Sequence, residues 1–491
     1  MELLFKINRD HTESIYNQIR SNIIKGIVEG SLSAGNRMPS TRQLASTLKV
    51  SRNTVAHVYE NLAIDGFLNV RERSGYFINA GLKNDWGTAP EVKLTTTANN
   101  SPWAQKLNAS PLSQPYVNRP ADWQNYPYPF IYGQIDPDLL SLSDWRECSK
   151  LALSKSTVED WTSDAITEDD PELAQQICTK LLPRRGIFVS ADQLMVTIGA
   201  QNALFLAGAL VVGKDTRLGF EDPGYCDARN GFISVGAKIK PLPVDAQGIK
   251  IDHRLDTCDV IYTTPSHHYP TNVTLPMERR EALLQRANDA DFLVIEDDYE
   301  SEVNFVSQPH PALKSMDENS RVLYVSSLSK NLFPGLRIGY MVAPPDFISE
   351  ARALRRQMYR HPSSHGQRTV ALFIKLGYYD TMVKRLHQVY QERWEITGKA
   401  LEKYFGDFFK VETFGGTSFW VTGPENLDAD ILAAEALKKG VVIEAGKPMF
   451  MPSRNNSARH KNNFRIGFSS IPTNRIEKGI KMLAETLAEI S

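Results

Sequence analysis

VSSLSKNLFPGLRIGY, residues 325–340, decides the fold of most of this chain. Lys330 follows a β-like run, Val322 to Val325, and precedes the Pro334-Gly335 turn; Ser327 and Ser329 stand before it and Arg337 seven residues after. A lysine at the end of a buried strand is costly unless it is paired or neutralised, so it either reaches water or is used. FLVIEDDYESE, at 292–302, ends another apolar run in Asp297 and Tyr299, and RLGFEDP and DVIYTTP are strands of the same kind. Helical stretches such as Arg279 to Ala287 lie between them. This alternation predicts an α/β domain with a mainly parallel sheet, whose ligand sits at the carboxyl ends of the strands.

Two strand ends thus bring an amine, a carboxylate, a phenol, hydroxyls and an arginine to one sheet edge, the set that pyridoxal 5′-phosphate requires. Its aldehyde needs an amine (Lys330), its ring nitrogen a carboxylate (Asp297), its phenolic oxygen a donor (Tyr299), and its phosphate hydroxyls and a guanidinium (Ser327, Ser329, Arg337). MVTIGAQNALFLA, at 195–207, adds Gly199, Ala200 and Gln201 at a helix start, where free backbone N–H groups hold a phosphate. A lone S-x-S-K is usually a solvated loop, and EDDYESE by itself is as well read as an acidic turn or a divalent-ion site. The elements taken together, in this order, outweigh those readings. Lys330 is the expected catalytic residue, its burial tolerated because an imine with the cofactor removes the charge.

The 491 residues, 42% of them hydrophobic, can bury a large core and suggest two to three domains. A net charge of -1 gives no global basic field for nucleic acid, so such a partner must be held by a local patch. The four cysteines form no C-x-x-C pair, which fits neither a disulfide framework nor a zinc cluster; no metal is expected, and a reducing cytosol is. There is no apolar run of membrane-spanning length and hence no expectation of a membrane.

Residues 1–80 form a separate unit. Ile15, Ile19, Ile23 and Ile27 recur every four residues as one helix face. PSTRQLASTLKV has Ser40 and Gln43 as a capping box, and SRNTVAHVYENLAIDGF opens with Ser51 as N-cap and buries Val55, Val58 and Leu62. FLNVRERSGYFI closes the unit as a hairpin about Ser74-Gly75. In helix-turn-helix geometry the second helix meets DNA with its first exposed residues: Arg52, Asn53, Thr54 and His57, beside Ser51. Arg42, Arg71, Arg73, Gly75 and Tyr76 add phosphate and wing-tip contacts. These 80 residues hold ten Lys/Arg against seven Asp/Glu, so the basic excess is local. The alternative is a decorative head with its arginines on a solvated face. Residues 81–125, rich in Pro, Asn, Thr and Ser, read as a linker, and 126–491 as the cofactor domain.

PSTRQLASTLKVSRNTVAHVYENLAIDGFL resembles the winged helix of GntR-type bacterial regulators, the later chain resembles the fold-type I aminotransferases, and the fusion resembles the MocR/GabR subfamily. The resemblance implies a pyridoxal-phosphate-dependent transcriptional regulator that senses the cofactor, or an amino compound, through an aldimine at Lys330. It places Tyr225 of FEDPGYCDAR against the cofactor ring, His267 of TTPSHHYPTN facing it, and Arg465 of NNFRIGF on an effector carboxylate. It also implies a homodimer that exchanges heads and bodies and reads paired half-sites in promoter DNA. Asp227 stands where a relative has a carboxylate-binding arginine, which leaves two readings: an effector with an extra amine, or Arg229 in that role. Asn272 replaces a glycine of the S-H-Q-x-P-x-G segment, a position that asparagine tolerates. The alternative function is a working aminotransferase with an appended DNA-binding head.

Overall fold

The computed structural model describes residues 7–9, 13–72, 74–81, 103, 106–107, 110–300, 302–304, 310–330, 332–406, 415–452 and 461–490. Arg73 and most of the stretch read as a linker lie outside the described residues. Backbone contacts divide the chain into Met1–Leu107 and Asn108–Ser491.

The first unit is three helices and a hairpin. Helix α1 (Ile15–Val28) buries Ile19, Ile23 and Ile27 along the four-residue stripe. Ser40 accepts the Gln43 N–H at the start of α2 (Thr41–Leu48), and Ser51 accepts the Thr54 N–H at the start of α3 (Arg52–Ile64). Lys49, in the left-handed region at φ 52°, makes the sharp turn between α2 and α3. Val55, Val58, Tyr59 and Leu62 of α3 pack on α1, and β1 (Leu68–Arg71) pairs antiparallel with β2 (Gly75–Ile78).

In the second unit a two-residue β3 (Tyr128–Pro129) precedes the main sheet. That sheet has eight strands: β4 (Leu194–Thr197), β5 (Arg217–Asp222), β6 (Lys238–Asp245), β7 (Gly248–Ile249), β8 (Val260–Thr263), β9 (Leu293–Asp298), β10 (Val322–Ser327) and β11 (Gly339–Val342). Their spatial order is β4-β11-β10-β9-β8-β5-β6-β7. Pairing is parallel from β10 through β9, β8 and β5 to β6, and antiparallel where β11 and β7 join. Helices cover both faces, which is why the inner strands read as continuous buried runs rather than alternating: every residue of β8 and β10 is buried. A smaller three-stranded sheet follows, in the order β12 (Ser418–Thr422), β15 (Asn463–Gly467), β14 (Glu444–Ala445), while β13 (Val441–Val442) pairs with β3. The stretch 110–125 belongs to this unit as short 3-10 turns, Pro111–Ser113 and Trp123–Asn125. No helix among the described residues is long and apolar enough to cross a membrane.

Candidate functional site

Parallel register sets the site. Val325 of β10 lies opposite Asp297 of β9, so both strands end at the same edge and the chain beyond them opens on one cavity of about 210 Å³. Lys330 closes the 3-10 turn Leu328–Lys330 and lines that cavity. Its Nζ stands 4.3 Å from the centroid of the Tyr132 ring. Gly133, at φ 74°, leaves the amine its space: a Cβ there would come within 2.3 Å of Nζ. Burial pulls the amine down to about 8, with Glu300 opposing and Arg465 and Arg119 assisting. An amine so placed is a nucleophile near neutral pH.

Asp297 is buried, and the Tyr262 hydroxyl donates to its Oδ2 at 2.8 Å. Its Oδ1 has no partner among the described residues, and burial, with Asp298 adding repulsion, raises its pKa to about 7. A buried carboxylate with one oxygen bonded and one free suits a protonated ring nitrogen. Ser327, Ser329, Ala200, Gln201 and Arg337 line the same cavity. Gly199 starts the helix Gly199–Val211 at φ 75°, and a Cβ on it would lie 2.9 Å from Arg337 Nη2. Gly339 lets β11 pass close by, since its Cβ would meet the Gly199 carbonyl carbon at 2.6 Å. Helix N–H groups, two hydroxyls and a guanidinium around one space form a phosphate cradle. The residues therefore fit pyridoxal phosphate by donor type and by room.

Tyr225 and Tyr299 line the cavity as well. Tyr225 stands beside Tyr269, ring centroids 5.0 Å apart, and the Tyr299 hydroxyl donates to the His267 carbonyl at 2.7 Å. The remaining expected residues sit elsewhere. His267 is buried outside the cavity wall, its Nδ1 without a partner among the described residues. Arg229 is also outside; its guanidinium donates to the carbonyls of Pro448 (2.7 Å) and Phe450 (3.0 Å), tying the helix Cys226–Ser234 to the loop after β14. Asn272 does take the left-handed backbone, at φ 61°.

Arg465 on β15 is buried between aromatic rings, its Cζ 4.1 Å from the Tyr132 centroid and 4.4 Å from that of Tyr269. Its Nε donates to Glu444 Oε2 at 2.8 Å, and its Nη2 stands 2.7 Å from that oxygen and 2.8 Å from the Tyr269 hydroxyl. Burial works against its charge, but Glu444 and the two tyrosines hold its pKa above the ordinary value. Sequence reading missed Tyr132, Tyr269, Glu444, Val117 and Arg119. Only Tyr269 lay within a quoted motif; the others carry no local signal, and Val117 and Arg119 lie in the stretch read as a linker.

On the first unit Arg42, Arg52, Asn53 and His57 are exposed at the starts of α2 and α3. The Ser51 and Thr54 hydroxyls bond each other at 2.7 Å while Ser51 caps α3. Gly75, at φ 100°, begins β2; Tyr76 packs on Tyr59 (5.0 Å); and Arg71 lies over Phe77 at 4.3 Å. Arg37, not anticipated, is exposed, and its guanidinium would lie within 4.0 Å of a Cβ on Gly75.

Known proteins match along both units. Residues 15–78 match the gntR family of bacterial regulatory proteins, and residues 161–483 match the class I and II aminotransferases. The chain is 40% identical over 474 residues to the HTH-type transcriptional regulator TauR of Rhodobacter capsulatus, covering 96% of each. It is 29% identical over 484 residues to the probable rhizopine catabolism regulatory protein MocR of Rhizobium meliloti, covering 97% of this chain and 94% of that one. Among solved structures, kynurenine aminotransferase of Pyrococcus horikoshii superposes with a TM-score of 0.69 at 26% identity, over 80% of this chain and 97% of that one.

Proposed function

The chain belongs to the MocR/GabR subfamily of gntR-type regulators, a winged helix-turn-helix fused to an aminotransferase-like domain that binds pyridoxal phosphate, and from that premise we propose that it binds promoter DNA through α3 and senses an amino compound, or the cofactor itself, at Lys330. The observation that carries this reading is the juxtaposition of Lys330, Asp297 and the Ser327/Ser329/Arg337 cradle in one cavity. When bound, pyridoxal phosphate supplies an aldehyde that exchanges between amines. The residues divide the work of holding it. Lys330 offers an amine whose lowered pKa leaves a large neutral fraction near pH 8. Asp297, fixed by Tyr262, holds a proton at the ring nitrogen. Arg337 and the start of the helix Gly199–Val211 neutralise the phosphate, and Tyr225 covers the ring.

Arg42, Arg52, Asn53 and His57 form the DNA-reading surface, with Arg71 and Arg73 of the wing on phosphates. As the subfamily implies, two chains pair as a head-to-tail homodimer in the bacterial cytoplasm and read two half-sites. Occupancy alters DNA binding only if the ligand prefers one of two arrangements of that dimer. The test is a gel shift on the chain's own upstream region at moderate salt, with and without pyridoxal phosphate and candidate amines. Binding whose affinity changes on ligand addition is expected; absence of binding in every condition refutes the reading. Absorbance followed after amine addition separates sensing from transamination, since repeated turnover would favour an enzyme.

A further inference from the structure

The stretch 110–116 is held to the second unit by little. Its turn, Pro111–Ser113, is closed by its own bonds, the Ser113 and Gln114 N–H groups donating to the carbonyls of Ser110 and Pro111 at 3.0 and 3.1 Å. Leu112 is 94% exposed and Tyr116 58%, so packing does not fasten it. Among the described residues one hydrogen bond ties it to the rest: Asn230 Nδ2 donates to the Pro115 carbonyl at 2.7 Å. The residues just after it are anchored, Val117 against the cluster of Tyr132, Tyr269 and Tyr299, and Arg119 on the Tyr132 carbonyl at 3.3 Å. A segment with so few buried contacts opens and closes at small cost.

The stretch also stands off the body. Between it and the helices Gly199–Val211 and Cys226–Ser234 lies a groove of about 410 Å³, with Leu112 and Tyr116 on one side and Gln201, Asp227 and Asn230 on the other. Gln201 and Asp227 line the cofactor cavity too, so they form a wall shared by the two spaces. Asn230 Oδ1 is buried and has no partner among the described residues. A buried acceptor left unused carries a desolvation cost that a backbone N–H would relieve, and two exposed apolar side chains gain by leaving water. The groove offers the stretch both.

Resting on the reading of the cavity as the pyridoxal phosphate site, we propose that residues 110–116 are a strap that closes into this groove when the cavity is filled, with Asn230 as the positioning residue that latches it. Gln201 stands in the phosphate cradle, and a phosphate that engages it fixes one side of the groove. Tyr225, which covers the ring, is the N-cap of the helix that carries Asn230, so a filled cavity fixes that helix as well. Settling the strap on walls already ordered costs less entropy than settling it on mobile ones. The chain before the strap belongs to the first unit, so closure supplies the ligand-dependent difference that a sensor requires.

Hydrogen exchange followed by mass spectrometry on the full-length protein, with and without saturating pyridoxal phosphate, reads the strap directly. Filling the cavity should slow exchange of a peptide spanning 110–120 by at least tenfold. Leu112→Ser and Asn230→Ala should each bring that change to within threefold of none while cofactor affinity, read by absorbance, stays within about fivefold of wild type. Leu112→Met, which keeps the apolar side chain, should retain the protection. Equal exchange in loaded and unloaded wild type, or protection that survives either Leu112→Ser or Asn230→Ala, overturns the inference and leaves the cofactor reading intact. Loss of cofactor binding together with protection in both variants also overturns it, since the stretch would then belong to the cofactor's own wall. Failure of wild type to take up pyridoxal phosphate overturns both the strap and the reading beneath it.

Discussion

Lys330 is held where an ordinary lysine would not stay. Its amine is lowered from 10.5 to about 8, and Asp297 is raised from 3.8 to about 7, in both cases chiefly by burial. Both shifts disfavour the charged form, so without cofactor the pair costs the folded state stability. For Lys330 the unfolded chain holds the extra proton between pH 8 and 10.5, so stability rises with pH across that window and the full penalty applies below it. For Asp297 the folded chain holds the extra proton between pH 3.8 and 7, so stability falls as pH rises there. Lys330→Met should therefore stabilise the apoprotein by about 2–3 kcal/mol at pH 7, as expected for removing a buried amine, and by nearly nothing above pH 10.5. Urea denaturation at the two pH values checks this, and an equal gain at both would show that the effect is packing. For the wild type, the rate of pyridoxal phosphate uptake, read by absorbance, should climb with a midpoint near pH 8 rather than 10.5. Lys330→Ala should leave no borohydride-trapped adduct by mass spectrometry. Asp297→Asn should weaken cofactor binding by about 10–100-fold, the loss of a charge-assisted bond of about 1.5–3 kcal/mol.

At the scale of elements, much of the molecule was readable because its signals are local. The run Val322–Ser327 ends at the strand's edge, and α3 begins at Ser51 because a serine hydroxyl caps it, so the sequence stretches around Lys330 and Ser51 located a strand end and a helix start. Ser51→Ala should cost about 1 kcal/mol of stability through loss of that cap, measurable by thermal denaturation. What stayed hidden depends on distant pairing. Glu444 sits in a two-residue strand, and nothing near it in the chain says that Arg465 lies opposite. Val117 and Arg119 lie in a Pro-rich stretch without periodicity, yet both line the cavity, Arg119 through its contacts with Tyr132 and with Glu444 of β14. Arg229 is one of the two readings that Asp227 leaves open in the sequence; its helix turns its guanidinium toward the carbonyls of residues 448 and 450. Glu444→Ala leaves a buried guanidinium unpaired, so it should destabilise the second unit by about 3–5 kcal/mol, whereas a double change replacing Glu444 and Arg465 with apolar residues should recover much of that loss. Equal destabilisation in the double variant would mean that the pair contributes shape rather than charge balance.

At the scale of the whole molecule, the charge division makes a statement about DNA. Residues 1–80 carry three more basic than acidic residues, and the remainder is acidic by four, which sums to the net -1. On the proposed function, affinity for a promoter has to come from a few guanidinium and imidazole groups at the starts of α2 and α3 and on the wing, while the acidic remainder of the chain offers no general attraction. In the proposed dimer, one head alone, with so few phosphate contacts, would bind weakly and release few counterions, and two heads joined through paired large units would multiply their affinities through a high effective concentration. Binding should consequently depend on both half-sites. Moving one half-site by half a helical turn puts it on the opposite face of the duplex and should reduce affinity to that of a single site, whereas a full-turn shift should restore part of it. Arg52→Ala, removing a contact from each head, should cost about 1–3 kcal/mol per head and flatten the dependence of log affinity on log salt by about one unit per head. Fluorescence anisotropy across a salt series on spaced operators measures both quantities together. A salt slope unchanged by Arg52→Ala would remove this side chain from the phosphate contacts, and indifference to half-site spacing would mean that the two heads do not engage the DNA at once.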